Sequence, residues 1–132
     1  MPYNKHHRRK CSLRVHLVLV TKYRKKLLRG ELADNVKQKV YDYCNIKGHD
    51  LLAMETDLDH IHILLVYDAT DRVSDIVKGI KQITTHYLWN KYHNLLDAQY
   101  WKKRIFWSDG YFACSVGDAS TETIQNYIKS QG

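Results

Sequence analysis

The stretch Asp50-Leu51-Leu52-Ala53-Met54-Glu55-Thr56-Asp57-Leu58-Asp59-His60-Ile61-His62-Ile63-Leu64-Leu65-Val66-Tyr67 decides the fold. Two apolar runs, Asp50 to Glu55 and His60 to Tyr67, flank the polar segment Thr56 to Asp59. Its Thr and Asp side chains suit a turn. Strands this close in sequence read as an antiparallel hairpin. Side chains alternate along a strand, so His60 and His62 share one face and Ile61 and Ile63 the other.

Working outward, Leu32, Val36, Val40 and Tyr43 or Cys44 recur at helical spacing, and Gly48 follows as a stop. The spacing predicts a helix over Glu31 to Lys47. Before it, Leu13 to Tyr23 carries Leu13, Val15, Leu17 and Leu19 on one parity and Val18 and Val20 on the other, a largely buried strand. After the hairpin, Val73, Ile76, Val77, Ile80, Ile83 and Tyr87 mark a long second helix that Thr70 or Asp71 could cap. A loop rich in Lys, Trp and Asp comes next. Tyr111 to Val116 reads as a fourth strand and Ala119 to Gln131 as a closing helix. The order β-α-β-β-α-β-α is the split βαβ or ferredoxin-like arrangement: an α+β fold with an antiparallel sheet and two helices on one face. The closing helix is surplus to it. It either covers the other face or reaches a partner.

The chain has 132 residues, one Pro and no low-complexity stretch, so a single domain over 1–132 is expected. Its three cysteines, Cys11, Cys44 and Cys114, form neither a disulfide framework nor a CxxC pair. No apolar run approaches the roughly 18 residues that span a membrane. A cytoplasmic protein with no membrane partner is the expectation. The net charge is +7, and residues 1–30 hold ten Lys or Arg and no acidic residue. Such a surface points to a polyanion, whose condensed counterions are released on binding. Residues 1–11 are expected to be a mobile basic arm. Arg8, Arg9, Lys10, Lys22, Arg24 and Lys25 are the candidates for phosphate contact, by charge and position. Trp101, Trp107, Tyr111 and Phe112 are either stacking platforms for unpaired bases or core.

Two features can carry chemistry. Two imidazoles one residue apart on a strand face can close on one metal ion, although such pairs are often just polar surface. In the closing helix Tyr127 lies beside the apolar pair Ile124 and Ile128, with Gln131 one turn on and on the same face. A helical Tyr beside Ile is more often packing than a nucleophile. On ligand chemistry alone two imidazoles also suit Zn²⁺.

Taken together, these segments resemble the single-tyrosine HUH transposases of the insertion sequence 200/605 family. Met54 to Leu65 is similar to their HUH signature and His16 to Arg24 to their first strand. Ile105 to Phe112 is similar to the segment before their last strand, and Thr123 to Gln131 to their tyrosine helix. One position departs: Pro is expected where Leu58 stands. The resemblance implies that Tyr127 attacks a phosphodiester in single-stranded DNA and forms a 5′-phosphotyrosine. It implies that His60, His62 and Gln131 bind one divalent ion, Mg²⁺ or Mn²⁺ ahead of Zn²⁺. It further implies subterminal DNA hairpins as substrate and a homodimer joined sheet edge to sheet edge, in which the tyrosine helix of one subunit serves the histidines of the other. Sequence leaves assembly in cis or in trans open.

Three other readings remain at this point. The same element order houses RNA-binding modules that stack bases on sheet aromatics, but the third strand here carries histidines instead. A metal-binding regulator would use His60 and His62 with Cys114. A replication initiator or related HUH nuclease would share the chemistry and differ in task.

Overall fold

A computed structural model describes residues 12–131. The elements among them are β1 (Ser12–Val20), a 3₁₀ turn (Lys22–Arg24), α1 (Gly30–Lys47), β2 (Asp50–Asp57), β3 (His60–Asp68), α2 (Val73–Lys91), α3 (His93–Tyr100), β4 (Phe112–Ser115) and α4 (Asp118–Lys129). The strands form one antiparallel sheet in the order β2-β3-β1-β4. That is the ferredoxin-like, α+β arrangement the pattern predicts. The basic arm over 1–11, with Arg8, Arg9, Lys10 and Cys11, lies outside the described residues.

Register divides the sheet into two unlike faces. Cross-strand partners share a face. Leu17 pairs with Ile63, Val15 with Leu65 and Leu19 with Ile61, and all six are buried in the main core. α1 and α2 cover that face with Leu32, Val36, Val40, Ile76, Val77 and Ile80. Gly79 makes the close approach of the two helices possible, because a Cβ there would run into the ring of Tyr43. The opposite face carries His16, Val18, His60, His62 and Leu64. α4 crosses this second face over β2 and β3, resolving the surplus helix in favour of coverage. Ile128, fully buried, anchors it against Ala53 and Leu64, with Leu52, Val116 and Ile124 around them. Burying one such side chain contributes about 1.5–3 kcal/mol, so α4 rests on a small cluster separate from the main core.

Several boundaries move for identifiable reasons. β1 stops at Val20, not Tyr23. Tyr23 (φ 61°) and Arg24 (φ 53°) enter the left-handed region, and Thr21 Oγ1 donates to Lys25 O at 2.7 Å to close the turn. Only Leu58 and Asp59 separate β2 from β3, a tighter hairpin than Thr56 to Asp59. Leu58 sits at φ 55°, which a proline ring fixed near −65° cannot adopt, so the turn itself differs where Leu replaces the expected Pro. Gly48 takes φ 79° and caps α1 as expected. Neither Thr70 nor Asp71 caps α2. The cap position falls on Arg72, which has no side-chain acceptor to offer. The stretch after α2 is not simply a loop: α3 buries Leu96 and Tyr100, one helical turn apart, in the main core. β4 is shorter at both ends than Tyr111 to Val116. α4 ends at Lys129, two residues before Gln131.

Two polar anchors order the path from α3 to β4. The Trp107 indole N–H donates to Thr84 Oγ1 at 2.8 Å inside the core. The Lys81 ammonium donates to the carbonyls of Ser108, Asp109 and Gly110 at 2.8, 3.1 and 3.0 Å. No helix among the described residues is long and apolar enough to cross a membrane.

Candidate active site

The site grows from the α4 side of β3. Alternation puts His60 and His62 on that face, their ring centroids 5.0 Å apart. Each has one nitrogen occupied. His60 Nδ1 lies 2.7 Å from Asp59 Oδ1. His62 Nδ1 lies 3.1 Å from Nε2 of His16, which reaches across from β1. The second nitrogens behave differently from the first. His62 Nε2 is buried and has no hydrogen-bond partner. His60 Nε2 has only Asp57 Oδ2 nearby, at 3.9 Å, too far for a hydrogen bond.

Electrostatics favours the neutral forms of His62 and His16. Burial, then the charges of His60 and His16, push the His62 imidazole down to about 4, with Asp57 opposing. Burial also lowers His16. The hydrogen bond from His60 is the leading cause that holds the Asp59 carboxyl below its ordinary range, with Arg24 adding to it and burial opposing. At neutral pH His16 and His62 are therefore uncharged rings, beside the ionised Asp59.

α4 brings Tyr127 onto this cluster. Its ring stands edge-on to His62 at 5.8 Å between centroids and 89° between planes, while half its surface stays open to solvent. Gln131 goes elsewhere. Its backbone N–H closes a tighter turn onto Ile128 O at 3.0 Å. Its side chain lines a cavity of about 320 Å³ with Leu28, Arg29, Asp57 and Leu58. The structure thus sets Tyr127 against His62, with His60 on the neighbouring side of His62, and places Gln131 beside the hairpin that carries Asp57.

Among the described residues no three His, Cys, Asp or Glu side chains converge as a finished metal site. The donors nevertheless fit a divalent ion. An orphaned, buried imidazole nitrogen in a neutral ring is the state a metal ligand requires, and a partner on the other nitrogen is its usual companion. Cys114 is excluded from this set. It lies on β4, with the whole of β1 between it and β3, and is exposed.

The other candidates separate cleanly. Trp107 is core; Trp101, Tyr111 and Phe112 are exposed. Arg24 pairs through Nε with Asp59 Oδ2 at 3.1 Å, so it braces the carboxylate that holds His60, while its side chain remains largely open. Lys22 lies 3.7 Å from Asp109 and Lys25 is half-buried. Sequence reasoning missed His16, Asp57 and Asp59 as site neighbours. Alternation along β1 and β3 was the available signal for His16, but its use needed the register.

Comparison with known proteins decides the family. The family model described as Transposase IS200 like matches residues 9–131. The chain belongs to this family. The IS200-like transposase is 31% identical to the ISDra2 transposase TnpA of Deinococcus radiodurans, over 91% of this chain and 84% of that one. It is 32% identical to the transposase for insertion sequence element IS200 of Salmonella typhimurium, over 91% and 77% of the two chains. A crystal structure of a Deinococcus radiodurans R1 protein assigned as a transposase matches with a TM-score of 0.73 at 29% identity, covering 92% of each chain. A tyrosine transposase bound to a REP hairpin shares the fold, with a TM-score of 0.64 at 13% identity, over 88% of this chain and 64% of that one. The IS200-like transposase accordingly has the fold that the split βαβ pattern implies, with the tyrosine helix laid across the histidine face.

Proposed function

We propose that this transposase cuts and rejoins single-stranded DNA at hairpin-bearing ends, with Tyr127 as nucleophile. The observation that carries the reading is the Tyr127 ring standing against His62, beside His60, on the histidine face of the sheet. The Tyr127 oxygen attacks the scissile phosphorus as its proton passes to solvent. The bond from phosphorus to the 3′ oxygen breaks, and that oxygen leaves as a 3′-hydroxyl. The 5′ phosphate remains on Tyr127. Because the bond energy is stored covalently, a 3′-hydroxyl attacking the same phosphorus rejoins strands without ATP.

His60, His62 and Gln131 would hold one divalent ion, Mg²⁺ or Mn²⁺ ahead of Zn²⁺. That ion would withdraw charge from the phosphate. Asp59 holds the His60 ring and Arg24 holds Asp59, so the face is rigid before DNA arrives. Gln131, beyond the end of α4 and beside Asp57, would have to move with the last turn to join the histidines. Helix ends fray readily.

Tyr127 meets His62 of its own chain, which supports a site completed in cis. Two copies would pair through β4, the sheet edge whose four residues are all exposed. Lys22, Arg24 and Lys25, with Arg8, Arg9 and Lys10, would neutralise phosphates, and the exposed Trp101 would stack on an unpaired base. The substrate is the single strand bearing the imperfect palindromes that should flank the gene. Incubating that strand with the protein and Mn²⁺ should give a covalent protein–DNA band on a denaturing gel. A palindrome-bearing strand that is bound but never linked would favour a non-catalytic binding module.

A further inference from the structure

We propose that His16 is a positioning residue for the metal site: it accepts the His62 Nδ1–H and fixes His62 in the tautomer whose Nε2 lone pair is free. The inference rests on the reading of His60 and His62 as metal ligands, and it adds a third histidine that does not touch the ion.

The geometry is specific. Register pairs Val18, not His16, with His62, so His16 reaches its partner diagonally across the sheet. The two rings stack at 5.3 Å between centroids and 24° between planes, and His16 Nε2 comes within 3.1 Å of His62 Nδ1. A neutral imidazole carries one N–H, so this contact fixes one proton between the rings. Were His16 the donor, His62 would carry its own proton on Nε2. That N–H would be buried with no acceptor, and the nitrogen could not ligate. A buried donor left without an acceptor is unfavourable, because its lost hydration is not replaced. With His62 as donor, Nε2 is instead a bare lone pair, which a metal ion can use.

His60 supports this assignment independently. Its Nδ1 is held by Asp59 at 2.7 Å, again leaving Nε2 without a hydrogen bond. Both histidines of the pair are therefore gripped at Nδ1 and free at Nε2, one by a carboxylate and the other by an imidazole. Ligating histidines commonly have their other ring N–H held in this way, and the partner fixes both tautomer and ring angle. Packing against Phe112, edge-on at 6.2 Å, secures the His16 ring from the other side.

Two substitutions separate the hydrogen bond from the packing. His16→Gln places an amide oxygen near the position of Nε2 and keeps the acceptor. His16→Phe keeps a stacked ring and removes the acceptor. The test is calorimetric titration of Mn²⁺ into the metal-free full chain, paired with ¹⁵N spectra of the histidine side chains. His16→Phe should weaken Mn²⁺ binding about 10- to 100-fold, and His16→Gln should stay within about threefold of the parent protein. The spectra should show His62 protonated at Nδ1 in the parent and in His16→Gln.

Undiminished binding by His16→Phe, with binding lost in His62→Ala, would overturn the role of His16 and leave the metal site standing. Undiminished binding by His62→Ala would overturn the metal-site reading and this inference with it. The parent spectrum needs no variant to fold: a His62 protonated at Nε2 in the metal-free protein contradicts the proposal directly.

Discussion

The ring of Tyr127 stands edge-on to the ring of His62 within a single chain, 5.8 Å between centroids. The proposed nucleophile and a proposed ligand are brought together by one helix, so joining these two needs no second subunit. The expectation is cis assembly. Mixing Tyr127→Phe protein with His60→Ala protein under conditions that allow subunits to exchange should then restore no cleavage, because each chain lacks a part of its own site. Recovery toward about a quarter of the parent activity, the share expected when half the dimers are mixed and each has one intact site, would mean that tyrosine and histidines work across subunits, as the family resemblance implies.

His60→Ala and His62→Ala should each abolish metal-dependent cleavage without unfolding the domain. His60 is partly exposed, and its truncation loses the hydrogen bond with Asp59 and the ring contact with His62. His62 is buried, so its truncation also leaves a small cavity, and its thermal midpoint should fall further. Circular dichroism melts alongside cleavage assays separate the two effects. Full cleavage by either variant would remove that histidine from the site.

Legibility of the site was uneven, for physical reasons. His60 and His62 could be placed on one face because alternation along a strand is local. Tyr127 could be placed on a helix because Ile124 and Ile128 fix the apolar stripe. His16 interrupts an apolar strand in the sequence, and it becomes a neighbour of His62 only once β1 and β3 are in register. Gln131 was aligned with Tyr127 on the assumption of an uninterrupted helix, but α4 closes at Lys129. The fold behaves likewise. Long periodic segments were readable, whereas the eight-residue α3 shows only Leu96 and Tyr100 as its signal. The cap of α2 failed by one residue, because helix boundaries depend on tertiary packing.

Stability should fall as the pH drops through the window set by His62. Its folded value is about 4 against an ordinary 6.5, so between these values the unfolded chain binds the extra proton. The stabilisation is complete above about 6.5 and declines toward 4. His16 is lowered too and acts in the same direction. Thermal midpoints measured from pH 7.5 to 4 should fall, and His62→Gln should flatten part of that slope. An unchanged slope in His62→Gln would show that this ring does not stay neutral in the fold.

Ile128→Ala tests whether α4 is docked by its own small cluster. Deleting a buried side chain of this size costs about 2–5 kcal/mol, and the loss should be confined to α4. Amide exchange in α4 should accelerate about tenfold or more while α1 and α2 keep their protection. Cleavage should fall with it. Uniform acceleration across the chain would mean that α4 is part of the main cooperative unit.

Trp101 is three-quarters open, more than the exposed Tyr111 and Phe112, and stands next to Lys102, Lys103 and Arg104. Trp101→Ala should weaken binding of the single-stranded segment by about 1–3 kcal/mol. Trp107→Ala should instead destabilise the fold, since its ring is buried and its N–H is held by Thr84. Fluorescence anisotropy and thermal melts distinguish these outcomes; unchanged affinity in Trp101→Ala would remove it from the DNA surface.

The most direct test of the central claim is to map the covalent linkage. The parent protein is incubated with the palindrome-bearing strand and Mn²⁺, digested with trypsin and analysed by mass spectrometry, with Tyr127→Phe in parallel. A 5′-phosphonucleotide is expected on the peptide containing Tyr127. No adduct is expected with Tyr127→Phe, whose hairpin binding should stay within a few-fold of the parent because the ring against His62 is retained. A linkage at any other residue, or cleavage that persists in Tyr127→Phe, would contradict that claim.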